Sequence, residues 1–261
     1  MPSCATMSTE FLRQAAVHEI EIPWWEKRGI IHGVKRRWLR ERRRRKVGRA
    51  YDMALEIARV IPRDSEVLDV GCGNGFIAHH LSAMLGATVT GIDVMARTEA
   101  LINYRQYDGA QIPFANKSVD AVLLCYVLHH VQDVSALLAD VKRVLRPNGL
   151  VVIYEDIPKT PWDRIVCWTH NLQWQRRTGV CAFRSELRWR EVFENAGFEV
   201  MRERQLSRLR NLTHLVSRRF YLLRVTADIS APAIRPANHR NRLSVLTSTG
   251  IELPSYSCRA S

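Results

Sequence analysis

Apolar positions along this chain follow two alternating rhythms. Val47, Ala50, Tyr51, Ala54, Leu55, Ala58 and Ile61 recur at helical spacing and lay a stripe on one helix face, which Pro62 closes. Residues 66–70 then read as a short buried strand, and 74–85 as a helix capped by Gly86. The β-branched positions Thr88, Val89, Thr90 and Ile92 predict a second strand over 87–92, ending at Asp93. The stretch 94–107 is short; it predicts one helical turn and then an edge strand near 102–106. Residues 118–125 are apolar throughout after Asp120, as befits a parallel strand covered on both faces. A helix is expected over 133–145 with Asp133 as its N-cap, then a turn at Pro147-Asn148-Gly149 and a strand over 150–154. Helices over 161–177 and 185–196 and strands over 198–205 and 219–225 complete the series.

Strands alternating with helices predict an α/β fold with a doubly wound, mainly parallel sheet of seven strands. From Thr226 the periodicity disappears and Ser, Thr, Pro, Asn and Arg dominate, so 226–261 is expected to be a disordered tail. The chain thus divides into a basic N-terminal arm over 1–46, partly helical, a domain over 47–225, and the tail.

Charge sharpens that division. Residues 27–49 hold twelve Lys/Arg against the single acid Glu41, a net +11 of the chain's +13. Residues 50–225 carry only +3, so the body is nearly neutral. Three readings of the basic segment stay open: a solvated helix face, contact with an anionic membrane beside Trp24, Trp25 and Trp38, or nucleic-acid contact. The neutral body weighs against the last. The longest apolar run, Ala121 to Leu128, has eight residues where a spanning helix needs about 20. No secretory h-region is read near the first residues, and the six cysteines show no C-x-x-C pair. Free thiols in the cytoplasm are expected, with the basic segment able to place the chain at the inner membrane face.

The chemistry begins at residues 67–75, Val-Leu-Asp-Val-Gly-Cys-Gly-Asn-Gly. Asp69 is followed by Gly71, Gly73 and Gly75 at a strand-to-helix turn, where glycines let the backbone approach a ligand closely. A dinucleotide fingerprint would place its third glycine at position 76, which is Phe76. Further along stand Asp93, Asp108-Gly109-Ala110, Ile112-Pro113-Phe114, a strand ending in Leu128-His129-His130, and Arg143-Val144-Leu145-Arg146-Pro147-Asn148-Gly149.

In this order the motifs resemble the small-molecule type of class I S-adenosylmethionine-dependent methyltransferases, over about 67–155 and more weakly to 225. The resemblance implies S-adenosylmethionine as cofactor, with Asp69, Gly71, Gly73, Asn74 and Gly75 around its methionine part. It implies Asp93 on the ribose, Val94 packed on the adenine, Asp108 and Gly109 at the adenine edge, and Cys125 beneath the sulfonium. Methyl displacement from a sulfonium needs no metal, and no metal ligands are assigned. A hydroxyl acceptor would gain from a general base. His129 and Glu155, at the exits of the fourth and fifth strands, are the candidates, because ligands bind at the carboxyl ends of such strands. Residues 155–196, with Trp162, Trp168, His170, Trp174, Phe183, Arg184 and Trp189, are expected to furnish part of an acceptor pocket. The expected activity is methyl transfer to a small molecule, hydrophobic or lipid-like acceptors included. Two alternatives stay open: an RNA methyltransferase guided by the basic arm, and a cofactor-binding scaffold without activity.

Overall fold

The buried strand read at 66–70 is the middle strand of the five-stranded parallel run that organises the molecule. The computed structural model describes residues 30–96, 98–206 and 216–226. Among them, seven strands form one sheet in the order β3-β2-β1-β4-β5-β7-β6. The strands are β1 (Glu66–Val70), β2 (Thr88–Asp93), β3 (Asn103–Gln106), β4 (Val119–Cys125), β5 (Leu145–Ile157), β6 (Phe198–Leu206) and β7 (Ser217–Val225). The helices are α1 (Ile30–Ile57), α2 (Phe76–Leu85), α3 (Val134–Val144), α4 (Pro161–Thr178) and α5 (Glu186–Asn195), with a 3₁₀ turn at Leu128–His130. Strands β1 to β5 pair in parallel, whereas β7 runs antiparallel to both β5 and β6. The order reverses between β1 and β4, and it is there that a crevice opens at the carboxyl ends of an open α/β sheet.

Two apolar layers cover the sheet. On one face Val122, Leu124, Val151 and Ile153 pack with Leu138 and Val141 of α3 and with Trp189 and Phe193 of α5. On the other, Leu123 and Val152 pack with Ala54 and Ile57 of α1 and Ala78 and Leu81 of α2. Asp120 proves structural: its carboxylate accepts the Glu66 N–H at 2.8 Å and the Arg146 guanidinium at 2.8 Å, tying β4 to β1 and β5.

Three local readings differ from expectation. Helix α1 runs unbroken from Ile30 to Ile57, so the basic run and the apolar stripe share one helix. Residues 94–102 contain no helical turn among those described. There Asp93 Oδ1 accepts the Met95 N–H at 3.0 Å and the Asn74 carbonyl accepts the Ala100 N–H at 3.0 Å, so the segment's hydrogen bonds go elsewhere. Strand β5 starts at Leu145 rather than at 150, absorbing the Pro147-Asn148-Gly149 turn as a bulge with Asn148 at φ 65°. The expected tail beyond Thr226 and the arm before Ile30 lie outside the described residues.

Helix α4 matters for the site, and its anchor is Asp163. Thr160 and Asp163 form a reciprocal capping box at its N-terminus. Asp163, fully buried, also accepts the Lys159 N–H at 3.0 Å, the Ser217 N–H at 3.2 Å and the Ser217 hydroxyl at 3.1 Å. Burial alone would raise its carboxyl, but the Thr160 and Ser217 donors outweigh it and hold it below the usual value. A depressed carboxyl stabilises the fold above its unfolded value, about 3.9, and that contribution disappears as pH falls through the lowered native value. Asp163→Ala is therefore expected to cost about 1–3 kcal/mol at pH 7 in urea unfolding, with the difference from the parent shrinking towards pH 3.

Candidate active site

The β1–α2 turn is built as a cradle. Gly71, Gly73 and Gly75 sit at φ 70°, 53° and 76°, in the left-handed region that side chains disfavour. At Gly71 a Cβ would also lie 2.5 Å from Val127 Cγ2, so the turn admits nothing larger. The Gly71 and Cys72 N–H groups donate to the Ile92 carbonyl at 2.8 and 3.1 Å, which locks the turn to β2. Asp93, at the end of β2, accepts the Gly73 N–H at 2.8 Å on its other carboxylate oxygen, and so bridges the turn. Asn74 donates to the Glu99 carboxylate.

Val94 is exposed beside this acid, and a Cβ on Gly109 would come within 3.2 Å of Val94 Cγ1. The Tyr107 N–H donates to the Asp93 carbonyl at 3.1 Å, and Asp108 folds its Oδ1 onto the Ala110 N–H at 2.9 Å. Val94 and the Asp108-Gly109 turn thus stand as neighbouring walls next to Asp93. Behind them lies Asp69, 1% exposed, with neither carboxyl oxygen partnered among the described residues. Burial, and after it the charge of Asp93, pushes the Asp69 carboxyl up to about 7. An orphaned buried carboxyl, a cradle closed to side chains and a slot-like pair of walls fit the adenosyl sulfonium cofactor implied by the motifs. Cys125 closes β4 half-buried; burial, then Asp69 and Glu155, hold its thiol well above the usual value, so it stays protonated.

The two base candidates meet. Glu155 of β5 and His129 of the 3₁₀ turn are both buried, with His129 Nδ1 2.7 Å from Glu155 Oε2. Glu155 Oε1 accepts the Leu128 N–H at 2.8 Å, which fixes the carboxylate. A carboxylate on Nδ1 makes that nitrogen the donor and leaves Nε2 with a lone pair. Nε2 is buried and has no hydrogen-bond partner among the described residues. The ring is held by Phe183, stacked 4.6 Å away, and by the Ala182 N–H, which donates to the His129 carbonyl at 2.7 Å. Burial by itself would lower this imidazole, yet the charge and hydrogen bond of Glu155 outweigh it and raise it above 6.5.

His129 lines a cavity of about 260 Å³ shared with Cys72, Asn74 and Gly75 of the cradle. That size lies near the lower end of small-molecule sites, roughly 300–1,000 Å³. Sequence reasoning missed several of its walls: Lys46, Arg49 and Met53 from α1, Tyr126, Asp156 and Arg218. Burial pushes Asp156 up to about 6, against the opposing charges of His129, Arg218 and Arg49. Of the expected aromatic pocket, His170 lines the cavity and Trp174 lies behind it, 5.4 Å from the His130 ring. Trp189 is instead fully buried core, stacked on Phe193, and Arg184 lies over its outer face. Trp162 and Trp168 are exposed, because they occupy the solvent side of α4. Helical spacing put these rings on one helix without telling which face the sheet would cover.

Comparison with known proteins agrees with this architecture. A family model described as a methyltransferase domain matches residues 39–203. The demethylmenaquinone methyltransferase of Tropheryma whipplei (strain Twist) is 38% identical over 100 residues, which cover 34% of this chain and 41% of that protein. The ubiquinone biosynthesis O-methyltransferase of Rickettsia canadensis (strain McKiel) is 34% identical over 98 residues, again 34% and 41% of the two chains. The chain thus spans about two fifths of the length of these curated relatives. Among solved structures, a SAM-dependent methyltransferase of Methanosarcina mazei superimposes with a TM-score of 0.54 at 18% identity, covering 65% of this chain and 96% of that one.

Proposed function

The chain belongs to the methyltransferase-domain family, and from that premise we propose that it transfers a methyl group from S-adenosylmethionine to a hydroxyl of a small, hydrophobic acceptor. The observation that carries the proposal is His129, backed by Glu155 on Nδ1 and unpartnered at Nε2 among the described residues, lining the cavity that the glycine cradle also lines. Bound there, S-adenosylmethionine supplies an electrophilic methyl on a sulfonium. Asp93 would hold the ribose, Val94 and Asp108-Gly109 the adenine, and Asp69, Gly71, Gly73, Asn74 and Gly75 the methionine part. His129 Nε2 accepts the acceptor's hydroxyl proton while oxygen forms its bond to the methyl carbon. The cofactor would serve as donor with its sulfur leaving as a neutral thioether, so the transfer would need no further reactant. Glu155 keeps Nδ1 protonated and stabilises the imidazolium. Holding acceptor and methyl in line is the larger contribution, since effective molarities reach about 10⁵–10⁸ M.

Two relatives named for demethylmenaquinone and for ubiquinone biosynthesis support a lipid-like acceptor. Incubation with cofactor labelled in its methyl group and a cell extract split into lipid, small-molecule and RNA fractions tests the proposal. Label is expected in the lipid or small-molecule fraction, released by no treatment that spares ethers. Label confined to RNA, or none despite cofactor binding, would favour the guided RNA enzyme or the silent scaffold.

A second element of the proposal concerns placement. Helix α1 exposes Val34, Trp38 and Leu39 among Lys35, Arg37, Arg40, Arg42, Arg44 and Arg45, with Arg42 over the Trp38 ring at 5.3 Å. An aromatic and aliphatic patch framed by cations suits an anionic bilayer surface. Neutralising residues 42–46 to glutamine is expected to remove most co-sedimentation with phosphatidylserine vesicles, since each basic residue near such a surface is worth about 1 kcal/mol. Unchanged sedimentation would dismiss the membrane contact.

A further inference from the structure

We infer that ring nitrogens of His129, His130 and His170 form a binding site for a divalent transition-metal ion of the zinc class, on the wall of the candidate active site. Among the described residues, these three histidines offer ligating nitrogens that all lie within 4.8 Å of one another. His130 Nε2 and His170 Nε2 already face each other at 3.3 Å. Tetrahedral zinc with nitrogen at about 2.0–2.1 Å places neighbouring ligand atoms about 3.3–3.4 Å apart, so this pair stands at the edge length that such an ion needs. The third ligating nitrogen, from His129, lies within 4.8 Å of both.

The surroundings have the chemistry of such a site. His129 is 1% exposed and lines the cavity, and its Nε2 has no hydrogen-bond partner among the described residues. Its Nδ1 is held by Glu155 at 2.7 Å, the carboxylate-behind-histidine arrangement that fixes a ligating tautomer and raises its basicity. His130 has its Nδ1 3.3 Å from Cys181 Sγ, and its Nε2 is the nitrogen that faces His170. Glu155 and the neighbouring Asp156 set two carboxyl groups beside the histidines, against Lys46, Arg49 and Arg218 on the same cavity wall. All three rings border the cavity, so a fourth position stays open to water or to an acceptor oxygen. His129 and His130 come from the 3₁₀ turn that follows β4 and His170 from α4, so docking of α4 assembles the set.

The consequence for activity rests on the base role proposed above. The ion would occupy the lone pair that His129 needs to accept a proton, so metal loading and base catalysis exclude each other at Nε2. Saturating Zn²⁺ should then block methyl transfer, and a chelator should restore it.

Titration of the metal-free, tag-free full chain with Co²⁺, read by its visible ligand-field absorption, tests the binding without any turnover. A saturable spectrum of a four-coordinate ion is expected. His170→Ala and His170→Gln should each weaken it by at least about 100-fold, the upper end of the loss seen when a supporting group is removed. Glu155→Gln should weaken it about 10–100-fold, and His79→Ala, on α2, should leave it unchanged. Circular dichroism confirms that each variant is folded. No saturable absorption in the parent, or equal affinity in both His170 variants, overturns the site. Should transfer proceed unhindered while the cobalt spectrum is saturated, the metal site stands and the base role of His129 falls.

Discussion

His129→Ala is expected to lower methyl transfer by about 10²–10⁴-fold, the usual contribution of a positioned general base, while cofactor affinity stays within twofold. The expectation follows from position. Among the described residues, His129 hydrogen-bonds to Glu155 and Ala182 rather than to the Gly71–Gly75 turn, so its loss should spare the cofactor. Its Nε2 is the unpartnered basic atom of the dyad on the cavity wall. The pH dependence gives a second signature. A base works unprotonated, and Glu155 raises this imidazole above 6.5, so the rate should fall as pH drops through that raised value. Glu155→Gln removes the raising charge and should move the acidic limb to lower pH while slowing the plateau. An unchanged limb in Glu155→Gln, with full activity in His129→Ala, would mean that the dyad is structural.

Asp69→Asn carries the other large effect, and its two halves have opposite signs. The native carboxyl is raised to about 7 from 3.8, and it is 1% exposed. Between those values the folded chain holds a proton that the unfolded chain releases. Stability from this group therefore falls as pH rises from about 4 to about 7, by on the order of 4 kcal/mol at most. Asparagine removes that penalty, so the cofactor-free variant should unfold at higher urea concentration than the parent at pH 8, with the gain absent at pH 4. Cofactor binding should move the other way. A buried anionic carboxyl with two unpartnered oxygens attracts a ligand that carries both a sulfonium and an ammonium, and losing one charged hydrogen bond costs about 1.5–3 kcal/mol. Stability gained with affinity lost is the trade expected of a strained binding site.

The parts of this molecule legible in the sequence are those encoded locally. Asp69 to Gly75, the β-branched run to Asp93 and the Asp133 cap each write their structure into a few adjacent residues, and the sheet follows from their alternation. His129 and Glu155 could be named because one follows β4 and the other lies near the carboxyl end of β5, and the β4–β5 pairing brings these neighbouring regions together. What stayed illegible depends on long-range docking. His130 and His170 are 40 residues apart and meet through the docking of α4, whose Asp163 is hydrogen-bonded to Ser217 of β7. Arg49 and Arg218 reach the cavity from opposite ends of the chain. Tyr126 sits at φ 62°, a conformation no local signal announced. The run 94–102 misled because Asp93 captures the Met95 N–H that a helical turn would have used differently.

Calorimetric titration of the purified chain with S-adenosylmethionine tests the central claim most directly, with Asp93→Ala beside the parent. The cradle and its bridging acid predict one saturable site per chain, weakened in the variant by about 1.5–3 kcal/mol, roughly ten- to hundredfold in dissociation constant. Absence of saturable heat in the parent, or an unchanged dissociation constant in Asp93→Ala, would contradict it.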